Sequence, residues 1–556
     1  MPSCLSCLTP RGARQRSTKS DSSDQENGSQ SKILRRPHPP FNFPPPNASL
    51  GDYILKKLST MPDFVAQVDS TTEREDTYGQ MKDRSIRTAL WLRNHGISPG
   101  DVVVVCSHNH CDSVIPVYAA LYCAATMMPW DPILNTKDLK YLISLCPPTF
   151  IFCDMESVCT IRVVLRESKC NAKVIVFGEH HDCISYEKEV LKTELTKDFK
   201  CTQFDDVEQV AVIVCSSGSV GMPKAVEHTH RNLLVQLSVV SYLNIDRKTT
   251  MVLSSLYWIS GTVATFVSLA CNLKCIIVPT FEEQTACKLV EKYSVNWILM
   301  GTSVLLRLIH SGYLEKYDMS SVEKISAAGG VVSSEAFGLL KKAMPRVQII
   351  LGYGMTELCG VATIQDPTSK PGSCGKLIIG IALKVIDLER GEILGPGEIG
   401  ELCWQSPCIM KGYRNNPEET LNAIDSENWL HSGDIGYYDS DGDIFIVDRL
   451  REMIKYRGNQ IAPAEIENII RRHPGVKDCV VVGKPHKVDG EHPVAFIVRR
   501  EGIQVTEKEI IDLVAAEVIE RKQLRGGVRF LDEFPLTPTG KPKRLALREI
   551  LRNENK

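Results

Sequence analysis

Several features that assign a chain to a class at a glance are missing from this one. No window approaches the run of about 18 uncharged apolar residues that a membrane-crossing helix needs. The nearest stretch, 251–278, is broken by polar residues and glycine, so no transmembrane segment is expected. Neither sign of charge prevails: 65 Lys+Arg stand against 67 Asp+Glu, a net charge of −2. That balance gives no general field for nucleic acid, so no nucleic-acid partner is expected. The P-loop pattern G-x-x-x-x-G-K-[ST] occurs nowhere. The twenty cysteines show no disulfide spacing and sit singly in apolar runs such as 102–106 and 151–153, where a free thiol acts as a small hydrophobe in a reducing compartment. The one C-x-x-C, Cys4 to Cys7, has no second pair, so a zinc site is not expected. His108/His110, His228/His230 and His180/His181 lack further ligands nearby and read as solvated or loop histidines. The last residues, Asn-Glu-Asn-Lys, are not a peroxisomal Ser-Lys-Leu signal.

What is present is the composition of a globular protein. The 556 residues are 43% hydrophobic and 24% charged, with a mean hydropathy of −0.10, long enough for several domains or subdomains. Residues 1–47 are polar and proline-broken, and are expected to form a disordered tail. Arg11, Arg14, Arg16 and Lys19 precede the first acid, Asp21. A mitochondrial leader is therefore the alternative to a cytoplasmic location, although Pro2 and Pro10 interrupt the amphipathic helix it needs. Acylation of Cys4 or Cys7 would give the tail peripheral membrane contact.

From Leu50 onward short β-branched runs alternate with helical patterns. A helix is expected over 78–94, a strand over 101–106, helices over 112–125 and 136–145, and strands over 149–153 and 173–177. Further strands follow over 210–214, 250–254, 274–279, 297–300, 324–327 and 348–351, with helices between. Such alternation predicts two regions of parallel βαβ units. After Gly352 the texture changes: Gly375, Gly380, Gly391, Gly395, Gly397 and Gly400 punctuate short strands, as in a small antiparallel sheet or barrel. A run of charge at 448–452 marks a boundary. Beyond it a compact piece has a strand over 479–483 and a helix over 507–521.

Chemistry gathers in five stretches. Val212 to Lys224 reads VIVCSSGSVGMPK, a strand end followed by hydroxyls and glycines. Ser216, Ser217 and Ser219 offer donors, Gly218 and Gly221 leave amides open, and Lys224 adds a charge, which together suit a polyphosphate. Gly352-Tyr353-Gly354-Met355-Thr356-Glu357 follows a buried strand, at the edge of an open α/β sheet where ligands bind. It offers a ring for a base, a hydroxyl for phosphate and a carboxylate for a cation. His431-Ser432-Gly433-Asp434 places a carboxylate suited to a ribose diol. Asp448-Arg449-Leu450-Arg451-Glu452 leads into Ile454-Lys455-Tyr456-Arg457-Gly458, and Pro538-Thr539-Gly540-Lys541 puts a lysine on a tip. Taken singly, each is more often a turn or a solvated charge; their joint order and spacing are not a chance matter.

In these segments, from about Leu50 to Leu551, the chain resembles the adenylate-forming superfamily of acyl-CoA synthetases, coumarate–CoA ligases and beetle luciferases. The resemblance implies an α/β fold: a large N-terminal domain (48–447) of two βαβ sheets plus a small β-barrel, a hinge (448–452), and a small mobile α+β C-terminal domain (453–556). It implies a two-step reaction on ATP, Mg²⁺, a small-molecule carboxylic acid and coenzyme A. Ser216, Ser217, Gly218, Ser219, Gly221 and Lys224 would hold phosphates, Tyr353 would stack on adenine, Thr356 would touch the α-phosphate, and Glu357 would place Mg²⁺. Asp434 and Arg449 would bind the ribose, Lys541 would reach the acyl carboxylate and α-phosphate, and Lys455 and Gly458 would face the site in the thioester step. Trp258 and Gly329 would belong to the substrate pocket, and Arg451 would be the hinge residue.

Departures from the pattern are specific. Val220 replaces a customary threonine, Trp258 stands where relatives often carry histidine, and Arg451 replaces Asp or Lys. The region after His228 is also shorter than in luciferases. A CoA ligase for an apolar fatty or aryl acid is the leading expectation. Adenylation without CoA, either luciferase-like or carrier-loading, is one alternative. A catalytically weakened acyl- or nucleotide-binding protein is the other.

Overall fold

Runs such as Val102–Cys106 and Val210–Ser216, apolar on both faces, become central strands because only a strand covered on both sides buries every residue. The computed structural model describes residues 32–36, 48–204, 206–216, 223–240, 245–330, 332, 334–457, 459–486, 488–536 and 542–554. Among these, four sheets form. The first has eight strands, with Val102–Cys106 central, Thr126–Trp130 and Phe150–Asp154 parallel to it, and Val210–Ser216 beyond. The second has nine. Its parallel centre runs from Gln348–Met355 through Lys324–Ala328, Trp297–Gly301 and Thr249–Val252 to Lys274–Ile277. Helices cover both sheets, as doubly wound regions require. Helix Tyr78–Asn94 begins at a capping box between Thr77 and Gln80, which satisfies amides that the first helical turn leaves open.

A six-stranded antiparallel sheet occupies the place expected for the small barrel. It includes Ala382–Ile386, Gly400–Gln405, Leu430–Tyr438 and Ile444–Arg449. Its core centres on Trp404, which is fully buried. The C-terminal domain is a five-stranded sheet built on the long hairpin Val476–His486/Gly490–Arg499, with helices Pro463–Ile470, Glu507–Glu517 and Arg544–Asn553. The architecture is thus α/β, with a large N-terminal and a small C-terminal domain.

Some expectations change; the C-terminal helix expected over 507–521, for one, ends at Glu517. Residues 32–36, within the tail expected to be disordered, join the six-stranded sheet. Leu34 and Arg35 pair with Leu383 and Ala382, Arg36 exchanges backbone hydrogen bonds with Ile381 and Gly380, and the Tyr438 hydroxyl donates to the Lys32 carbonyl. An edge strand with unpaired amides accepts any extended segment that reaches it. His228 and His230 are not solvated but fully buried, the latter accepting the Leu50 amide at 3.1 Å. Burial pushes each down to about 4. The eighteen described cysteines are all free thiols. No described helix is long and apolar enough to cross a membrane.

Candidate functional site

The GYG segment explains itself by sterics. It ends strand Gln348–Met355, which doubles back against Gly360–Ile364. A Cβ on Gly354 would lie 2.1 Å from the Gly360 carbonyl oxygen, and one on Gly352 would lie 2.8 Å from that of Thr363. Only glycine fits either position, and Tyr353 between them is presented at the sheet's carboxyl edge.

Tyr353 anchors the first of two groups. Its ring stacks on Trp404 with centroids 5.2 Å apart and planes 20° off parallel. Its hydroxyl donates to Asp434 Oδ2 at 2.6 Å. The other oxygen of Asp434 takes Arg449 Nε at 3.0 Å. The two residues face one another in the ladder between Leu430–Tyr438 and Ile444–Arg449. Asp434 is 3% exposed. Burial, and then the neighbouring carboxylate, holds the Tyr353 phenol far above its ordinary range, so it stays a donor. Under Asp434 lies a second brace. His431 Nδ1 meets Glu401 Oε2 at 2.9 Å, and Glu401 Oε1 accepts the Gly433 amide at 3.1 Å. The Glu401 hydrogen bond outweighs burial and raises the His431 pKa.

The second group forms around Tyr413. Ser216 and Lys224 are register partners in the ladder that leads into and out of the serine–glycine loop. The Lys224 ammonium sits 4.6 Å above the Tyr413 ring and pairs with Glu419. The Tyr413 hydroxyl donates to Glu357 Oε1 at 3.0 Å. Glu357 is 8% exposed, and its backbone carbonyl accepts the Met410 amide. One tyrosine therefore bridges the phosphate-side lysine and the candidate metal carboxylate. Thr356 precedes Glu357 in the same 3₁₀ turn, partly buried. Mg²⁺ is commonly held by one or two carboxylates while phosphates and water supply the rest, and Glu357 offers one such carboxylate, with Tyr413 engaging only Oε1.

The remaining predicted residues are placed as follows. Ala328 pairs with Gly352, so Gly329, at φ +94°, begins the turn beside the GYG segment. Trp258 precedes helix Ile259–Ala270 and packs edge-on against Tyr257, 5.0 Å between centroids. Helix Ile259–Ala270 lies against strand Gly360–Ile364. Lys455 is exposed in the C-terminal domain, and its amide donates to Glu491 Oε2 at 3.0 Å. Among the described residues it makes no polar contact with the Tyr353 or Tyr413 groups. Arg451 lies in the short 3₁₀ turn Leu450–Glu452. Just before it, Asp448 Oδ2 accepts the Ala464 amide at 2.9 Å and so ties the first turn of helix Pro463–Ile470 to the larger domain. Ser217, Gly218, Ser219, Gly221, Gly458 and Lys541 lie outside the described residues, as does Val220.

Three members of the site were not expected from sequence: Tyr413, Glu419 and Trp404. Tyr413 stands in Gly412-Tyr413-Arg414, directly before a helix capped by Asn416, a signal that marks a turn and not a ligand. Trp404 sits mid-strand among apolar neighbours and reads as core, which it also is.

A ring against a buried carboxylate at a sheet's carboxyl edge, and a second buried carboxylate tied to a lysine through a tyrosine, offer the kinds of groups that a nucleotide can use. Two family models match the chain: "AMP-binding enzyme" over residues 56–414 and "AMP-binding enzyme C-terminal domain" over residues 465–541. Luciferin 4-monooxygenase of Photinus pyralis is 34% identical over 538 residues, 94% of this chain and 97% of that protein. 4-Coumarate–CoA ligase 3 of Oryza sativa subsp. japonica is 30% identical over 517 residues, 90% and 92% of the two chains. The solved structure of the luciferase-like enzyme from the nonluminescent Zophobas morio mealworm is 30% identical and superposes with a TM-score of 0.71, covering 76% of this chain and all of that one. The chain belongs to the AMP-binding enzyme family and is an adenylate-forming enzyme.

Proposed function

We propose that the protein is an acid–CoA ligase acting on an apolar carboxylic acid. A carboxylate oxygen attacks the α-phosphorus of ATP, the bond to the β-phosphate bridge breaks, and pyrophosphate leaves. The CoA sulfur then attacks the acyl carbon, AMP departs with the electron pair of the cleaved C–O bond, and the thiol proton passes to solvent. In this reading Asp434 accepts from the ribose hydroxyls and Tyr353 lies against adenine. Lys224 meets the outer phosphates, and Thr356 touches the α-phosphate. Lys541 neutralises charge as the acyl phosphate forms, and Mg²⁺ held at Glu357 would supply further charge for the phosphates. Lys455, with Gly458 beside it, serves the thioester step once the small domain turns about Arg451. The acyl pocket lies toward Trp258 and Gly329, between helix Ile259–Ala270 and strand Gly360–Ile364.

The observation that carries the ATP half is the Tyr353–Asp434–Arg449 group at the sheet's carboxyl edge. The CoA half is supported by similarity to 4-coumarate–CoA ligases over nearly the whole chain. The test is AMP and acyl-CoA formation from decanoate and from coumarate, each with and without CoA. CoA-dependent acyl-CoA formation is expected, and AMP turnover that ignores CoA would refute the ligase assignment. A second reading, luciferase-like adenylation followed by oxidation, is favoured by the 34% identity to luciferin 4-monooxygenase; light or oxygen uptake with luciferin, independent of CoA, is its signature.

A further inference from the structure

The C-terminal hairpin carries a cluster that the adenylation chemistry does not use. Strands Val476–His486 and Gly490–Arg499 pair so that His486 faces Gly490 and Lys484 faces His492. His486 and His492 are therefore diagonal neighbours on one face. The position directly opposite His486 has no side chain, so the two imidazoles meet, with centroids 4.0 Å apart and planes 18° off parallel. Asp489, in the turn between them, is 8% exposed. Its Oδ2 lies 2.8 Å from His492 Nε2 and 3.4 Å from His486 Nδ1. One donor atom from each residue lies within 4.8 Å of the other two.

We propose that His486, Asp489 and His492 bind one divalent transition-metal ion, with Zn²⁺ the ion that the donors suit best. Two imidazole nitrogens and a carboxylate oxygen favour Zn²⁺ over Mg²⁺ or Ca²⁺, which take oxygen ligands. Around tetrahedral Zn²⁺, ligand atoms at about 2.0–2.1 Å from the ion stand roughly 3.4 Å from one another. The Asp489–His486 separation already has that value, the Asp489–His492 pair needs to open by about half an ångström, and the stacked rings must turn so that their in-plane lone pairs meet at one point. Arg457 Nε holds Asp489 Oδ1 at 2.6 Å, which turns Oδ2 toward the imidazoles, as outer partners of metal carboxylates do. The Asp489 amide now donates to His486 Nδ1 at 3.2 Å; metal binding exchanges that hydrogen bond. The fourth position faces solvent beside exposed His486 and takes water. The other mixed cluster, Glu401, Cys403 and His431, has the Lys384 ammonium beside it, paired with Asp425, and belongs to the strand pair that carries Asp434.

The consequence reaches the loop of Lys455. The Arg457 amide donates to the Asp489 carbonyl at 2.8 Å, Tyr456 pairs with Gly490, and the Lys455 amide binds Glu491. A metal in the hairpin tip clamps strand Ile454–Tyr456, which carries Lys455.

The test is metal binding itself, independent of the ligase reading. The full chain is titrated with Zn²⁺ by calorimetry and with Co²⁺ by absorption, alongside His486→Gln/His492→Gln and Asp489→Asn, with circular dichroism as the folding control. The wild type is expected to bind one more equivalent of Zn²⁺ than the double variant, with Co²⁺ d–d bands that lack a thiolate charge-transfer band, and no competition from millimolar Mg²⁺. Asp489→Asn is expected to weaken binding tenfold or more. Equal stoichiometry in wild type and double variant overturns the proposal. Should the double variant misfold, His486→Gln alone, at an exposed position, must still lower the Zn²⁺ affinity, and an unchanged affinity overturns the proposal equally.

Discussion

Replacing Asp434 by asparagine keeps the shape of the side chain and removes one negative charge from the centre of the nucleotide group. Two interactions depend on that charge: the Tyr353 hydroxyl at 2.6 Å and Arg449 Nε at 3.0 Å. A hydrogen bond to an ionised acceptor contributes about 1.5–3 kcal/mol against about 0.5–1.5 for a neutral one, so the Tyr353 bond loses roughly 1–1.5 kcal/mol. Arg449 is half exposed, and such a pair is worth less than about 1 kcal/mol. The sum is about 2 kcal/mol. Spread over an unfolding entropy of about 2.1 cal/mol/K per residue for a domain of some 400 residues, it lowers Tm by roughly 2–3 °C. The effect on ATP is larger, because each ribose hydroxyl also loses an ionised acceptor: KM for ATP is expected to rise about 10- to 100-fold. Tyr353→Phe is the control. It keeps the stacking ring and the carboxylate, and is expected to lower Tm by a degree or two while changing KM less than about fivefold. Calorimetry and initial-rate kinetics read both quantities. If Asp434→Asn leaves KM unchanged while Tyr353→Phe raises it tenfold, the carboxylate is not the ribose acceptor and the assignment fails.

Three further outcomes are expected. Lys541→Ala should abolish adenylate formation, by a hundredfold or more as when one preorganised transition-state donor is lost, while equilibrium dialysis still detects ATP binding; unchanged pyrophosphate release would remove Lys541 from the chemistry. Tyr413→Phe breaks the hydrogen bond to buried Glu357 but keeps the ring under Lys224, so the Mg²⁺ concentration for half-maximal rate should rise several-fold with little change in KM for ATP at saturating Mg²⁺; a shift in ATP KM alone would refute the bridging role. Burial raises the Asp154 pKa, but hydrogen bonds from His110, Ser107 and His108 outweigh it and bring the carboxyl down to about 2. A depressed carboxyl stabilises the fold above its unfolded pKa and loses that contribution as pH falls through the folded value. Asp154→Asn should therefore cost about 2 kcal/mol near pH 6, from about 1.4 kcal/mol per pKa unit, and the Tm difference from wild type should shrink as pH falls from 5 toward 3. A difference that does not vary with pH would show that the Asp154 contribution does not depend on its ionised carboxylate.

The alternation of strands and helices was legible because both large sheets are covered on both faces, so their strands are unbroken apolar runs. Helix Tyr78–Asn94 carries its own capping box and could be placed to the residue. Strand Thr126–Trp130 and helix Met155–Glu167 were not legible. The first contains a proline and two methionines, a pattern without period, and the second follows its strand with no turn residue between. The C-terminal helix expected to reach Arg521 stops at Glu517, where Val518 turns extended. The site divides the same way. The GYG and HSGD segments announce themselves because glycine beside a functional residue is an unusual local choice. Tyr413, Glu419 and Trp404 do not, since each does its work against a residue from another part of the chain.

The sequence by itself determined the family of this protein, the order of its motif-bearing segments and the residue type at each, because those choices are local: a backbone that another must approach closely needs glycine wherever it lies. Tertiary structure alone decided what those residues touch. It set Asp434 between Tyr353 and Arg449, joined Lys224 to Glu357 through one tyrosine ring, buried two histidines that looked solvated, and drew His486 and His492 together across a glycine. Such meetings depend on strand register and sheet order, which are fixed by the burial of the whole chain and leave no mark on any one stretch of it.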